Sequence, residues 1–213
     1  MKPTIAVVDY GMGNLRSVQK ALERAGANAL VTDTAQVIRG AAGVVLPGVG
    51  AFGEAVKRLK AGRLWAPLQD TLAQNKPFLG ICLGLQLLFE CSEENPGLRG
   101  LGFFKGSVIR FREKSMRSLK VPHMGWNTFR RGPAKTDVWL KGLGLNDYFY
   151  FVHSYFPQPN DRQVIAATTL YGQTFCSAAA QGNCFASQFH PEKSGDQGLR
   201  LLRNFVHQVR SCS

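Results

Sequence analysis

The chain has 213 residues, 45% apolar and 19% charged, the balance of a soluble globular protein long enough to bury its own core. No apolar run nears the ~18 residues that span a bilayer, no signal peptide is apparent, and five scattered cysteines without a CxxC pair suit a reducing cytoplasm rather than a disulfide framework or a zinc site. The net charge of +12 raises nucleic-acid binding, but only Arg110, Arg112, Lys114, Arg117 and Lys120 are dense enough to form a patch; no nucleic-acid module with interleaved aromatics is present, and an acidic partner or an anionic metabolite explains the charge as well.

Ile5–Asp9 is a short apolar run that reads as a strand, followed by a turn at Tyr10–Asn14. Asn14 then serves as N-cap of a helix whose apolar face is Leu15, Val18, Leu22 and Ala25, ended by Gly26. Ala29–Thr32 and Gly43–Leu46 read as the next two strands, and strand–helix–strand with short connections predicts a parallel sheet. After Leu46 comes Pro47-Gly-Val-Gly50, a loop whose glycines let backbone N–H groups turn toward a ligand, or a plain strand-to-helix turn. A helix with Phe52, Ala55, Val56 and Leu59 inward follows, then a second over Leu64–Gln74.

Phe78, Leu79 and Ile81 form a buried strand that runs into Cys82, and from Leu83 the sequence favours a helix with no breaker before Ser92. Gly80 and Gly84 flank Cys82 at two residues on either side, the spacing of a nucleophile elbow with sulfur in place of a serine oxygen. Such a turn is strained, and glycines on both sides let strand and helix pass closely. The N–H groups of a helix that starts just after Cys82 favour the thiolate. The alternative is an ordinary buried cysteine.

From about Ser107 the pattern changes to short strands, over Val108–Arg112, Asp147–His153, Val164–Tyr171, Phe175–Ala180 and Cys184–Phe189, spaced for antiparallel or mixed pairing. A terminal helix carries Leu199, Leu202, Val206 and Val209 on one stripe. The expected fold is a single α/β domain over residues 1–213: an open, largely parallel sheet flanked by helices, with additional antiparallel strands in the C-terminal half.

A nucleophilic cysteine needs a base and a group that orients the base. His207 reads as a surface residue of the terminal helix; His123 and His153, set among turn and aromatic residues, are structural or line a site, and the structural reading is preferred to a catalytic one. His190 directly follows the strand at Phe185–Phe189, and Glu192 stands two residues on, past Pro191. Residues two apart in an extended segment point the same way, so the Glu192 carboxylate can hold the imidazole. No further ligands accompany this pair to make a metal site.

With Gly80-Ile-Cys-Leu-Gly84 and His190-Pro-Glu192, the chain resembles the class I glutamine amidotransferases, whose triad is Cys, His and Glu in that order. The segments 11–17, Pro47–Gly50, Pro122–Asn127, Tyr150–Tyr155 and Phe189–Lys193 narrow the resemblance to the branch that serves a (β/α)₈-barrel cyclase subunit, as in imidazole glycerol phosphate synthase. The match runs from Ile5 to the terminal helix. It implies that Cys82 attacks the glutamine side-chain amide, that the oxyanion meets the N–H of Leu83 and of Val49 or Gly50, and that His190, oriented by Glu192, moves the protons. It also implies that Gln86, Glu94, Ser154 and Tyr155 hold the glutamine, that no cofactor is needed, and that Asn14, Trp126, Tyr150 and Lys193 face the cyclase. Trp126 and Tyr150 also read as core aromatics, and Lys193 as a solvated charge. The rival readings are an amidotransferase with another client, a cysteine peptidase or stress protein built on the same elbow, and a silent scaffold.

Overall fold

The computed structural model describes residues 2–112 and 119–212; Lys114 and Arg117 of the basic segment lie outside the described residues. The N-terminal half alternates as expected: β1 Thr4–Val8, α1 Leu15–Arg24, β2 Asn28–Thr32, α2 Ala35–Gly40, β3 Gly43–Gly48, α3 Phe52–Ala61, α4 Trp65–Ala73, β4 Phe78–Cys82 and α5 Leu83–Leu87. There follow β5 Cys91–Ser92, β6 Gly106–Arg110, β7 His123–Asn127, β8 Arg130–Arg131, β9 Phe149–His153, β10 Tyr155–Pro159, β11 Ile165–Tyr171, β12 Gln173–Gln181, β13 Cys184–Ser187 and α6 Gly195–Ser211.

The main sheet has eight strands in the order β2-β1-β3-β4-β13-β12-β11-β8. The first five run parallel and the last three attach antiparallel, which matches the expected architecture. Alternate residues of each strand feed opposite cores. Ile5 and Val7 belong to one with Val18 and Leu22 of α1 and Leu202, Phe205 and Val209 of α6. Ala6 and Val8 belong to the other with Ile38, Leu59, Leu68 and Leu85 of α2 to α5. Strands buried on both faces read as continuous apolar runs, which is why β1, β3 and β4 were visible in the sequence.

Because β3, β4 and β13 are parallel neighbours, their carboxyl ends share one edge of the sheet. Val49–Gly50, Cys82 and the His190 turn all leave from that edge, where ligands sit in open α/β sheets.

Three local expectations are corrected. Asn14 occupies the N-cap position of α1, but its side chain makes no capping bond. The helix after Cys82 ends at Leu87 rather than running toward Ser92. There the carbonyls of Leu87, Leu88, Phe89 and Glu90 accept from the N–H groups of Leu101, Phe104, Gly102 and Gly100, so a crossing loop takes over the helix end. His123–Asn127, for which no strand was expected, is a strand paired antiparallel with β9.

Candidate active site

Cys82 ends β4 with φ 55 and ψ −104, a conformation that costs a non-glycine residue ~1–3 kcal/mol. The strain is held from both sides, since Gly48↔Cys82 closes the β3–β4 ladder and Leu83 opens α5. The elbow expected from Gly80 and Gly84 is thus present. The sulfur faces a cavity of about 280 Å³. Of the predicted residues, Val49, Gly50, Cys82, Leu83, Gln86, Glu94, Ser154 and Tyr155 line it together. Pro122 and Val152 also line it and were not foreseen there, and so does His153, for which lining a site was the alternative to a structural role.

His190 and Glu192 stand behind the sulfur as a buried pair, with Nδ1 2.8 Å from Glu192 Oε1 and both side chains 2% exposed. Pro191 opens a 3₁₀ turn over Pro191–Lys193. Ser194 fastens that turn: its hydroxyl donates to the His190 carbonyl at 2.6 Å and accepts the Tyr150 N–H at 3.0 Å. Ser194 was not anticipated, because a lone serine after a turn carries no distinctive spacing. The carboxylate fixes the proton on Nδ1 and leaves Nε2 for chemistry. Nε2 has no close hydrogen-bond partner among the described residues, and the same is true of Glu192 Oε2. Burial alone would lower the His190 pKa, but its long contact with the Cys82 sulfur and its bond to Glu192 outweigh that and raise it to about 10. The imidazolium is the favoured form at neutral pH.

All five cysteines are free thiols. Burial pushes the Cys176 thiol up to about 12 and raises the Cys184 thiol as well, so neither is disposed to react.

The remaining predicted contacts are partly committed within the protein. Glu94 Oε2 accepts the Phe52 N–H at 2.7 Å and so caps α3, while the residue also lines the cavity. Gln86 Nε2 donates to the Tyr155 carbonyl at 3.1 Å. Trp126, 56% exposed, meets the Tyr150 ring edge-on at 6.0 Å, and Lys193 Nζ lies 5.6 Å from the centre of that ring. Tyr150 O in turn accepts the His190 N–H at 2.9 Å. These three form one cluster beside the His190 turn, and Asn14, also exposed, stands at the start of α1. Among the described residues no group of three or more His, Cys, Asp or Glu could hold a metal ion.

His123 and His153 form a buried pair, Nδ1 to Nε2 at 3.1 Å. His153 Nδ1 lies 2.8 Å from the Tyr155 carbonyl, which only accepts, so His153 donates there from Nδ1 and accepts the His123 Nδ1–H on its Nε2. Asn127 Nδ2 then donates to His123 Nε2 at 3.3 Å. Burial lowers His123 to about 4 and His153 to about 3, so both rings are neutral in the fold. The unfolded rings regain a pKa of 6.5, so below that the unfolded state binds more protons. The stability contributed by the neutral pair is complete above pH 6.5 and is lost as pH falls toward the folded values. The thermal midpoint should therefore drop by roughly 5 °C or more between about pH 7 and about pH 4.5, and His123→Gln should flatten that fall. A wild-type midpoint unchanged over this range would contradict the assignment.

The sequence matches the family described as "Glutamine amidotransferase class-I" over residues 6–209. It is 52% identical over 209 residues to the imidazole glycerol phosphate synthase subunit HisH of Thermosynechococcus vestitus, covering 98% of each chain. It is 50% identical to the HisH subunit of Rhodopirellula baltica over 202 residues, 95% of this chain and 96% of that one. Among solved structures it superposes on a crystal structure of a glutamine amidotransferase with a TM-score of 0.70 at 20% identity, covering 96% of this chain and 98% of that one. It superposes on PurLQS from Thermotoga maritima with a TM-score of 0.73 at 18% identity, covering 97% and 99%. At those identities the structural likeness speaks for the fold alone.

Proposed function

The chain belongs to the class-I glutamine amidotransferase family, and on that premise we propose that it is the glutaminase subunit of an imidazole glycerol phosphate synthase in histidine biosynthesis. The observation that carries the reading is the buried His190–Glu192 pair set against Cys82, at the edge of the sheet where the cavity opens. Curated relatives of about half identity over nearly the whole chain support the client.

In this reading the Cys82 thiolate attacks the side-chain amide carbon of glutamine. The oxyanion is met by the N–H of Leu83, at the start of α5, and by that of Val49 or Gly50. Positioned donors of this kind contribute about 10²–10³-fold each. The His190 imidazolium gives its proton to the leaving nitrogen as the C–N bond breaks and ammonia departs, leaving a thioester. His190, now neutral, takes a proton from the water that attacks the thioester carbonyl, the C–S bond breaks, and glutamate leaves. Glu192 holds the tautomer throughout. Gln86, Glu94, Ser154 and Tyr155 hold the charged end of glutamine, which an apolar pocket would reject.

Ammonia passes to a (β/α)₈-barrel cyclase subunit, in a cytoplasmic heterodimer. Asn14, Trp126, Tyr150 and Lys193 face that subunit. No described helix is long and apolar enough to cross a membrane.

The test is glutamate release by the chain alone, with a cyclase subunit, and with that subunit plus its ribulosyl bisphosphate substrate or a product analogue. Little release alone and a rise of tenfold or more in the third state is the expected result. Hydrolysis that no cyclase alters would keep the chemistry and assign another client. No hydrolysis in any state would favour the scaffold reading.

A further inference from the structure

Gln188 lies between β13 and His190, is fully buried, and was not singled out in the sequence. Its backbone N–H is fixed on the Ser177 carbonyl of β12 at 2.8 Å. Its side-chain Nε2 points at the Cys82 sulfur at 3.5 Å, and its Oε1 accepts from Gln86 Nε2 at 3.2 Å.

The two amide orientations are dictated rather than arbitrary. The Tyr155 carbonyl can only accept, so the Gln86 atom facing it is the NH₂ group, at 3.1 Å. That group's second hydrogen faces Gln188, which must therefore offer its oxygen there. The Gln188 NH₂ group is left aimed at the sulfur. Turning either amide over would set two acceptors or two donors against each other. Besides His190, the Val152 carbonyl also approaches the sulfur, at 3.9 Å; it can only accept, and so interacts favourably with the thiol and not with the thiolate.

We infer that Gln188 is a further catalytic residue, whose side-chain N–H donates to the Cys82 sulfur and stabilises it as the thiolate, with Gln86 locking the donor in place. The inference rests on the reading of Cys82 as the nucleophile and adds to it. The N–H acts twice in the cycle. Before attack it favours the charged sulfur over the protonated one. When water adds to the thioester and the C–S bond breaks, the electron pair returns to the sulfur, and the same N–H stabilises that leaving group. His190 moves protons in both steps, whereas Gln188 gives up none.

The experiment follows alkylation of Cys82 by iodoacetamide against pH, read by peptide mass spectrometry on the full chain. Gln188→Met is close in volume and has no donor. Its midpoint for Cys82 should lie about one to two pH units above that of the wild type, the size expected for losing one hydrogen bond to a charged group. Gln188→Asn keeps an amide but withdraws it by one methylene, and should move the midpoint the same way if the apolar variant does not fold. Gln86→Met leaves the donor but frees its orientation, and should give a smaller rise. A folded Gln188→Met or Gln188→Asn with the wild-type midpoint would overturn the inference, since a merely structural glutamine would change thermal stability and leave the midpoint in place. Failure of the underlying reading would appear elsewhere, as a wild-type chain that releases no glutamate in any state.

Discussion

Cys82→Ala is expected to lower glutamate release by about ten-thousand-fold or more while leaving the chain folded and able to bind its partner. The two parts of this expectation have separate causes. Loss of the sulfur removes the covalent route altogether, and with it the step that splits amide cleavage into two lower barriers. On the proposed reading the oxyanion donors and the glutamine clamp persist, so some acceleration over water remains. Stability changes little because Cys82, although buried, also lines the cavity, so removing one sulfur enlarges an existing space rather than opening an enclosed void, and alanine tolerates the backbone at φ 55 no worse than cysteine does. Cys184→Ala is the control: that thiol is fully enclosed and should affect stability without touching the chemistry. Activity measured beside thermal midpoint separates the two. A Cys82→Ala enzyme with more than a few per cent of wild-type turnover would rule the nucleophile out.

Gly84→Ala is expected to destabilise the chain by roughly 3 kcal/mol, a fall of about 10 °C in thermal midpoint, and to depress glutamate release with it. A Cβ at Gly84 would lie 1.9 Å from the Leu46 carbonyl oxygen and 3.0 Å from its carbon. Those atoms are backbone within β3, paired through Leu46↔Gly80, so no flexible side chain can yield. Relief requires α5 to lift from the sheet, and α5 carries Leu83 directly after Cys82. The second glycine of the elbow thus serves the site by letting the helix start against β3. A Gly84→Ala variant that melts like the wild type would show that the close approach is not needed.

The parts of the molecule legible in the sequence are those where a local pattern and the tertiary demand agree. β1, β3 and β4 are buried on both faces and therefore read as apolar runs, and Gly80-x-Cys82-x-Gly84 and His190-x-Glu192 place their chemistry within a few residues. The elements that escaped notice depend on distant partners. Ala35–Gly40 buries only Ile38, too little to set a helical period. Tyr155–Pro159 carries two prolines, which a sheet tolerates at an edge, and this strand pairs with β6 alone. Asn14 looks like a capping residue, yet the turn before α1 leaves its side chain without a capping bond. Gln188 has no spacing signature at all: its partners Cys82 and Gln86 stand more than a hundred residues away in sequence and meet it only because β4 and β13 are neighbours.

The central claim is that glutamine is cleaved through a thioester on Cys82. Its most direct measurement is rapid acid quenching of the complex during turnover, followed by mass spectrometry of the cysteine-containing peptides. The account predicts a glutamyl adduct on Cys82 alone, absent from Cys82→Ala and increased when the cyclase substrate is bound. Turnover without that adduct, or with the adduct on Cys91 or Cys212 instead, would contradict it.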